Sequence, residues 1–227
     1  MNKLVLSCEH YTNQIPEKYN DFFLNATEVL QTHEAFDIYA AEIYKEIADR
    51  FDFFIHGVCS RLLIDFNRSL SNKNLFSLYS RNMTPEYKKD ILETLYLPYR
   101  NKTMDVIEGY LIKGFNVLHV SLHTFTPFWK NQYRNCDIGI LYDPSVGREK
   151  KWANFLSEHI RMNLPGFKIR KNYPYKGISD GHATNLRKRF ENQTYSGIEL
   201  EFNQAVCPSL LEKSHILKEI FQNAVIE

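Results

Sequence analysis

The run Ser60-Arg61-Leu62-Leu63-Ile64-Asp65-Phe66-Asn67-Arg68 sets two guanidinium groups, a carboxylate and an amide just behind an apolar stretch, Phe53 to Val58. A guanidinium is a planar fork of donors that matches a carboxylate, and its charge cannot be titrated away. Arg61 and Arg68, with the Asn67 amide between them in sequence, suit the capture of a small anionic group. Asp65 is placed to orient one of the arginines from the side.

Three further blocks could do chemistry. Ser7-Cys8-Glu9-His10 and Leu122-His123-Thr124 each put a histidine at the end of an apolar run. A lone strand-end histidine is ordinarily just a hydrogen-bonded residue. Two on one sheet edge, with a carboxylate and an open position, form the pattern of a catalytic zinc site. Glu9, His33, Glu34 and Asp37 are the candidates for a third ligand. The last block, Gly197-Ile198-Glu199-Leu200-Glu201, points two carboxylates to the same side of a strand. Burying them is costly unless they are paired or serve a site, so either Glu199 or Glu201 could act as a general base. His119 lies four residues before His123 and shares its strand face, which suits a satisfied core histidine. His182, in Asp180-Gly181-His182, falls in a Gly- and Pro-rich loop and is a candidate for touching substrate. Cys59 and Cys136 read as small buried hydrophobes, whereas Cys8, inside the first block, is also a candidate catalytic thiol.

The elements that must position these residues alternate between strand and helix. Short apolar strands are expected at 4–7, 53–59, 115–122, 138–142, 167–170 and 197–202. Residues 34–50 carry apolar side chains at helical spacing, which puts Asp37 in a first turn and His33 on the same face if the helix begins early. Thr84-Pro85 is a helix start; that helix should break near Pro98, resume and stop at Gly114. Further helices are expected at 148–162 and 208–225, and 173–184 reads as a loop. The alternation, without repeats or linkers, predicts one α/β domain over residues 1–227. Its ligands should bind beyond the strand ends.

Composition narrows the function. A net charge of +1 gives no electrostatic reason to expect nucleic acid or an anionic membrane as partner. No run approaches the roughly 18 apolar residues of a membrane span. The four cysteines form no CxxC pair. With no export-type segment at the N-terminus, reduced thiols and a cytoplasmic protein are expected. A small anionic molecule is the expected partner.

Taken together and in this order, the blocks resemble the N-formylglutamate amidohydrolase family. The resemblance runs from Ser7-Cys8-Glu9-His10 with Asn13 and Pro16, through His33, Asp37 and the 60–68 and 122–127 segments. It continues through 137–142, 172–175 and Asp180-Gly181 to 197–204, and so covers essentially the whole chain. That family looks like a branch of the zinc carboxypeptidase and aspartoacylase-type fold. The resemblance implies a mixed, mostly parallel sheet flanked by helices and one Zn2+ per chain. It implies His10 and His123 as metal ligands, Glu201 as general base, Arg61 as donor to the oxyanion, and Asn67 and Arg68 as a clamp on the substrate carboxylate. Where such relatives carry a ligand glutamate three residues after the first histidine, this chain has Asn13, a poor zinc ligand. Asp37 is assigned as third ligand, with Glu9, Asn13 and His33 as alternatives. Ala205 replaces a usual acid, and Tyr96-Leu97-Pro98-Tyr99-Arg100 lacks histidines often seen there, which leaves room for a substrate other than N-formylglutamate.

The expected activity is zinc-dependent removal of a formyl-type acyl group from a small N-acyl amino acid bearing at least one carboxylate. Two other readings compete: a carboxypeptidase-like hydrolase of short acidic peptides, and a non-catalytic binding protein for glutamate-like anions.

Overall fold

The apolar runs pair into one six-stranded sheet in a computed structural model that describes residues 1–191 and 193–224. β1 (Asn2–Cys8), β2 (Phe53–His56) and β3 (Asn116–Phe125) are followed by a small separate hairpin of β4 (Phe128–Trp129) and β5 (Gln132–Tyr133). β6 (Ile138–Leu141), β7 (Ile169–Lys171) and β8 (Tyr195–Asn203) complete the sheet in the order β2-β1-β3-β8-β6-β7. Every neighbouring pair is parallel except β6 with β8. The α-helices are α1 (Ala40–Ile47), α2 (Pro85–Ile91), α3 (Leu97–Ile112), α4 (Gly147–Asn163), α5 (His182–Arg189), α6 (Cys207–Leu211) and α7 (Ser214–Ala224). This is the mostly parallel α/β architecture expected, with helices covering the sheet.

Side chains alternate across a strand, and here the alternation separates two chemistries. Leu4, Leu6 and Cys8 of β1, Leu118, Val120 and Leu122 of β3, and Ile198, Leu200 and Phe202 of β8 join one core cluster with residues of α1, α4 and α7. The intervening positions are Ser7, then His119, Ser121 and His123, then Glu199 and Glu201, all buried. Register brings these polar positions level: Ser7 pairs with Ser121, Ser121 with Glu199, and His123 with Glu201.

The helix expected over 34–50 is shorter. It spans Ala40–Ile47, followed by one tighter turn, Ala48–Arg50. Tyr39 before it has φ 71°, a left-handed conformation that stops the helix from extending backwards. Asp37 therefore lies outside the helix, and its N–H donates instead to the His10 carbonyl at 2.9 Å. β2 ends at His56, short of Cys59. Nor does the helix break at Pro98. A wide turn over Leu92–Tyr96 joins α2 to α3 and absorbs the missing proline N–H. The loop expected over 173–184 gives way to α5 at His182. The closing helix divides into α6 and α7, and Val225 of that expectation lies outside the described residues.

The 60–68 segment is turn rather than strand. Leu62, Leu63, Ile64 and Phe66 anchor it in a second cluster with Tyr19, Met83, Ile91 and Tyr99. Burial of these four leaves Arg61, Asp65, Asn67 and Arg68 to face the sheet edge. Gly139 of β6 has a comparable positioning role. A Cβ there would sit 2.2 Å from the Tyr173 carbonyl oxygen and 3.2 Å from Glu201 Cβ, so only glycine lets the chain pass so close to that glutamate.

Candidate active site

Beyond the ends of β1, β3 and β8 lies a cavity of about 350 Å³. Its walls include His10, Asp37, Arg61, Asn67, Arg68, His123, Glu199 and Glu201. Of the residues assigned a catalytic, substrate-binding or metal-ligand role from the sequence, only His182 is missing from the lining; the alternative ligands Glu9, Asn13, His33 and Glu34 are also outside it.

His10, Asp37 and His123 come together, with one possible ligand atom from each lying within 4.8 Å of the others. Asp37 Oδ2 is 2.9 Å from His123 Nδ1 and 3.5 Å from His10 Nδ1. His10 Nδ1 is buried with no hydrogen-bond partner among the described residues. The opposite nitrogens are held from behind. His10 Nε2 lies 2.7 Å from Asp65 Oδ1, while His123 Nε2 lies 3.0 Å from Ser121 Oγ and 3.3 Å from Glu9 Oε2. An imidazole whose outer N–H donates to a carboxylate or hydroxyl turns its other nitrogen inward as a lone-pair donor, the usual arrangement around a metal. Two imidazole nitrogens and one carboxylate thus fit a divalent transition ion with further positions left open.

The alternatives to Asp37 are placed elsewhere. The Asn13 amide donates to the Leu30 carbonyl at 2.9 Å. The His33 ring packs edge-on to Trp129. Glu9 is fully buried behind the histidines and accepts from Tyr99 Oη at 3.0 Å and from Ser121 Oγ at 2.6 Å. Burial alone would raise its pKa, but hydrogen bonds from His123 and His182 outweigh that and hold it well below the usual carboxylate range. Asp37 shows the same balance: burial opposes its charge, and Arg61 and His10 restore it. Asp65, buried but facing His10 and Arg68, is held at about 2.

His182 corrects the sequence reading. It opens α5 and is fully buried, with Nδ1 3.0 Å from Glu9 Oε1. Burial, together with the charge of Arg100, lowers its pKa to about 4. It supports Glu9 from beneath the site and does not face the cavity. His119 is the satisfied core histidine expected, with Nε2 2.8 Å from Ser7 Oγ and Nδ1 2.8 Å from Tyr195 Oη.

Glu199 and Glu201 are not on an edge strand, because β8 runs between β3 and β6. Glu201 Oε2 has no hydrogen-bond partner among the described residues. Burial, reinforced by the nearby charges of Asp37 and Glu199 and opposed by His123, raises its pKa to about 8. Burial also raises Glu199. Arg61 reaches Asp37 through Nη2 and also donates to the His33 carbonyl. Arg68 is steadied by Asp65 Oδ2 at 3.6 Å and by the Asp180 carbonyl at 2.6 Å. Asn67 Oδ1 accepts the His182 N–H at 2.6 Å, which turns its NH2 group toward His123.

Several residues that line the cavity were given no role from the sequence. Trp129, Arg134 and Tyr175 form one wall. Tyr175 falls in the 172–175 segment of the family resemblance, but Trp129 and Arg134 belong to no motif, and the β4–β5 hairpin that brings them there is a tertiary feature. The partnership of Asp65 with His10 was also unread, since the two are distant in sequence.

A family model described as N-formylglutamate amidohydrolase matches residues 2–207. The fold is similar to that of gene product Atu2144 from Agrobacterium tumefaciens, with a TM-score of 0.80 and 22% identity over 98% of this chain and 90% of that one. It is also similar to an N-formylglutamate amidohydrolase from Ralstonia eutropha JMP134, with a TM-score of 0.73 and 15% identity over 97% of this chain and 92% of that one. Among curated proteins, none matches the sequence.

Proposed function

Because the chain belongs to the N-formylglutamate amidohydrolase family, we propose that it is a metal-dependent amidohydrolase that removes a formyl-type acyl group from a small N-acyl amino acid bearing a carboxylate, such as N-formylglutamate. One observation carries the reading: the His10, Asp37 and His123 donors open on the same cavity as Glu201, Arg61 and Arg68.

His10, Asp37 and His123 would hold the metal, with Asp65 and Glu9 keeping the two imidazoles in their ligand tautomers. A divalent cation such as zinc there would acidify a water molecule and polarise the acyl carbonyl. Glu201 takes the proton from the attacking water and passes it to the leaving amine nitrogen. Its buried Oε2, with no hydrogen-bond partner among the described residues, is left to accept that proton. Arg61 faces the developing negative charge of the tetrahedral intermediate. Arg68 and the Asn67 NH2 group orient the substrate carboxylate.

The test is metal content by elemental analysis together with formate release from N-formylglutamate, for wild type beside His123→Ala. About one metal ion per chain and steady formate release are expected in the wild type, with both lost in the variant. Cleavage of acidic dipeptides with no turnover of N-acyl amino acids would replace this reading with a peptidase. Metal-free protein that binds glutamate without turning anything over would replace it with a binding protein.

A further inference from the structure

Arg134 is a buried cation held by rings rather than by an acid. It is 8% exposed, and its guanidinium carbon lies 5.1 Å from the Tyr175 ring centroid, 5.3 Å from that of Trp129 and 5.7 Å from that of Phe125. Its side-chain hydrogen bonds to Thr126 are long, 3.4 Å to the carbonyl oxygen and 3.5 Å to Oγ1. Among the described residues, no carboxylate pairs with it. Three other arginines at or near the site do have a carboxylate: Arg187 has Glu149 at 2.8 Å, Arg68 has Asp65, and Arg61 has Asp37.

Removing a guanidinium from water without a countercharge is costly. Stacking on ring faces recovers part of that cost and immobilises the group, while leaving its in-plane N–H donors available. Those donors belong to a residue that lines the candidate active-site cavity and also an adjoining hollow of about 200 Å³. The Arg134 N–H donates to the Pro127 carbonyl at 2.8 Å, so the backbone just past the hairpin is anchored too. A planar anion arriving in the cavity would supply the missing charge at a site already organised to receive it.

We propose that Arg134 binds a second anionic group of the substrate, so that the site selects N-acyl amino acids whose side chain itself bears a carboxylate. One carboxylate meets Arg68 and Asn67, and the other meets Arg134. This rests on the amidohydrolase reading above.

The experiment compares N-formylglutamate with N-formylglutamine, which has nearly the same shape but a neutral side chain. Wild type, R134Q and R134K are measured for kcat/KM, and calorimetric binding of glutarate is set against that of its monoamide. The wild type should prefer the acid in both turnover and binding by roughly 10- to 100-fold, the range of one charge-assisted pair. R134Q should lose about 10-fold more on the acid than on the amide, and R134K should recover part of the difference. Equal activity on the two substrates in the wild type, or a preference that survives in R134Q, would overturn the proposal. If the wild type hydrolyses neither substrate, the amidohydrolase reading fails, and the glutarate comparison still decides the role of Arg134. If R134Q does not fold, the decision passes to R134K and to the wild-type preference.

Discussion

The two faces of β1, β3 and β8 are built from interleaved residues of the same strands, yet they obey opposite rules. On one face Leu118, Val120 and Leu122 pack with Leu4, Leu6, Ile198 and Leu200 against α1, α4 and α7. On the other, Ser121 lies level with Ser7 and Glu199, His123 with Glu201, and His119 with Gly197 one step back along the strands. Both faces are equally buried. The first gains free energy from removing apolar area from water. The second bears desolvation costs that its own hydrogen bonds only partly offset, and Glu201 Oε2, without a partner among the described residues, shows one place where they do not. The stable face is therefore an economical fold, and the costly face is where function is to be sought.

The largest expected effect tests the polar face. Glu201→Gln should lower kcat/KM by roughly 10²–10⁴ through loss of a general base, without lowering stability at neutral pH. The pH dependence of folding sharpens this. With a folded-state pKa of about 8 against 4.5 unfolded, Glu201 keeps a proton in the folded state that the unfolded chain has released. Its contribution is complete below about pH 4.5 and is lost as pH rises through 8, at up to about 1.4 kcal/mol per pH unit. Urea titrations from pH 5 to 8 in chelator should show a steeper decline in the wild type than in the variant, where only the raised Glu199 and His123 still contribute. Undiminished turnover, or the same decline in both proteins, would break the distinction between the faces.

Next is the apolar face. Leu122→Ala should cost about 3 kcal/mol in urea unfolding, while kcat of the folded fraction stays within about 3-fold. A large loss of kcat with unchanged stability would show that the faces are not separable.

The smallest effect concerns His119, on the polar face but away from the cavity. Burial, with His182 close by, lowers its pKa to about 3. The unfolded chain therefore binds a proton that the folded state excludes, and stability should fall as pH drops from about 6.5 toward 3. The slope is at most about 1.4 kcal/mol per pH unit. His119→Gln should flatten it between pH 6 and 4 with little change in activity, and an unchanged slope would remove His119 from the account.

Much of the site was readable because it sits where local pattern is informative. Polar residues closing apolar runs marked His10 and His123, and the two-residue spacing of Glu199 and Glu201 put both on one face. The reading failed where a side chain's role depends on a partner from elsewhere. Asp37 appeared helical from the periodicity of its neighbours, but the chain is held to the His10 carbonyl and turns through left-handed Tyr39. His182 looked like a loop residue open to substrate, and packing instead sealed it against Glu9.

The amino-acid sequence by itself determined which residues alternate on each strand, where the strands end, and which charged groups gather there, because those follow from the period of the backbone. Only the tertiary structure decided that Asp65 would hold His10, that Glu9 would lie behind His123, and that Arg134 would rest on aromatic rings at the cavity wall. Those contacts join segments distant in the chain, and their geometry is set by strand register and by the packing of loops on a completed sheet. No local preference carries that information.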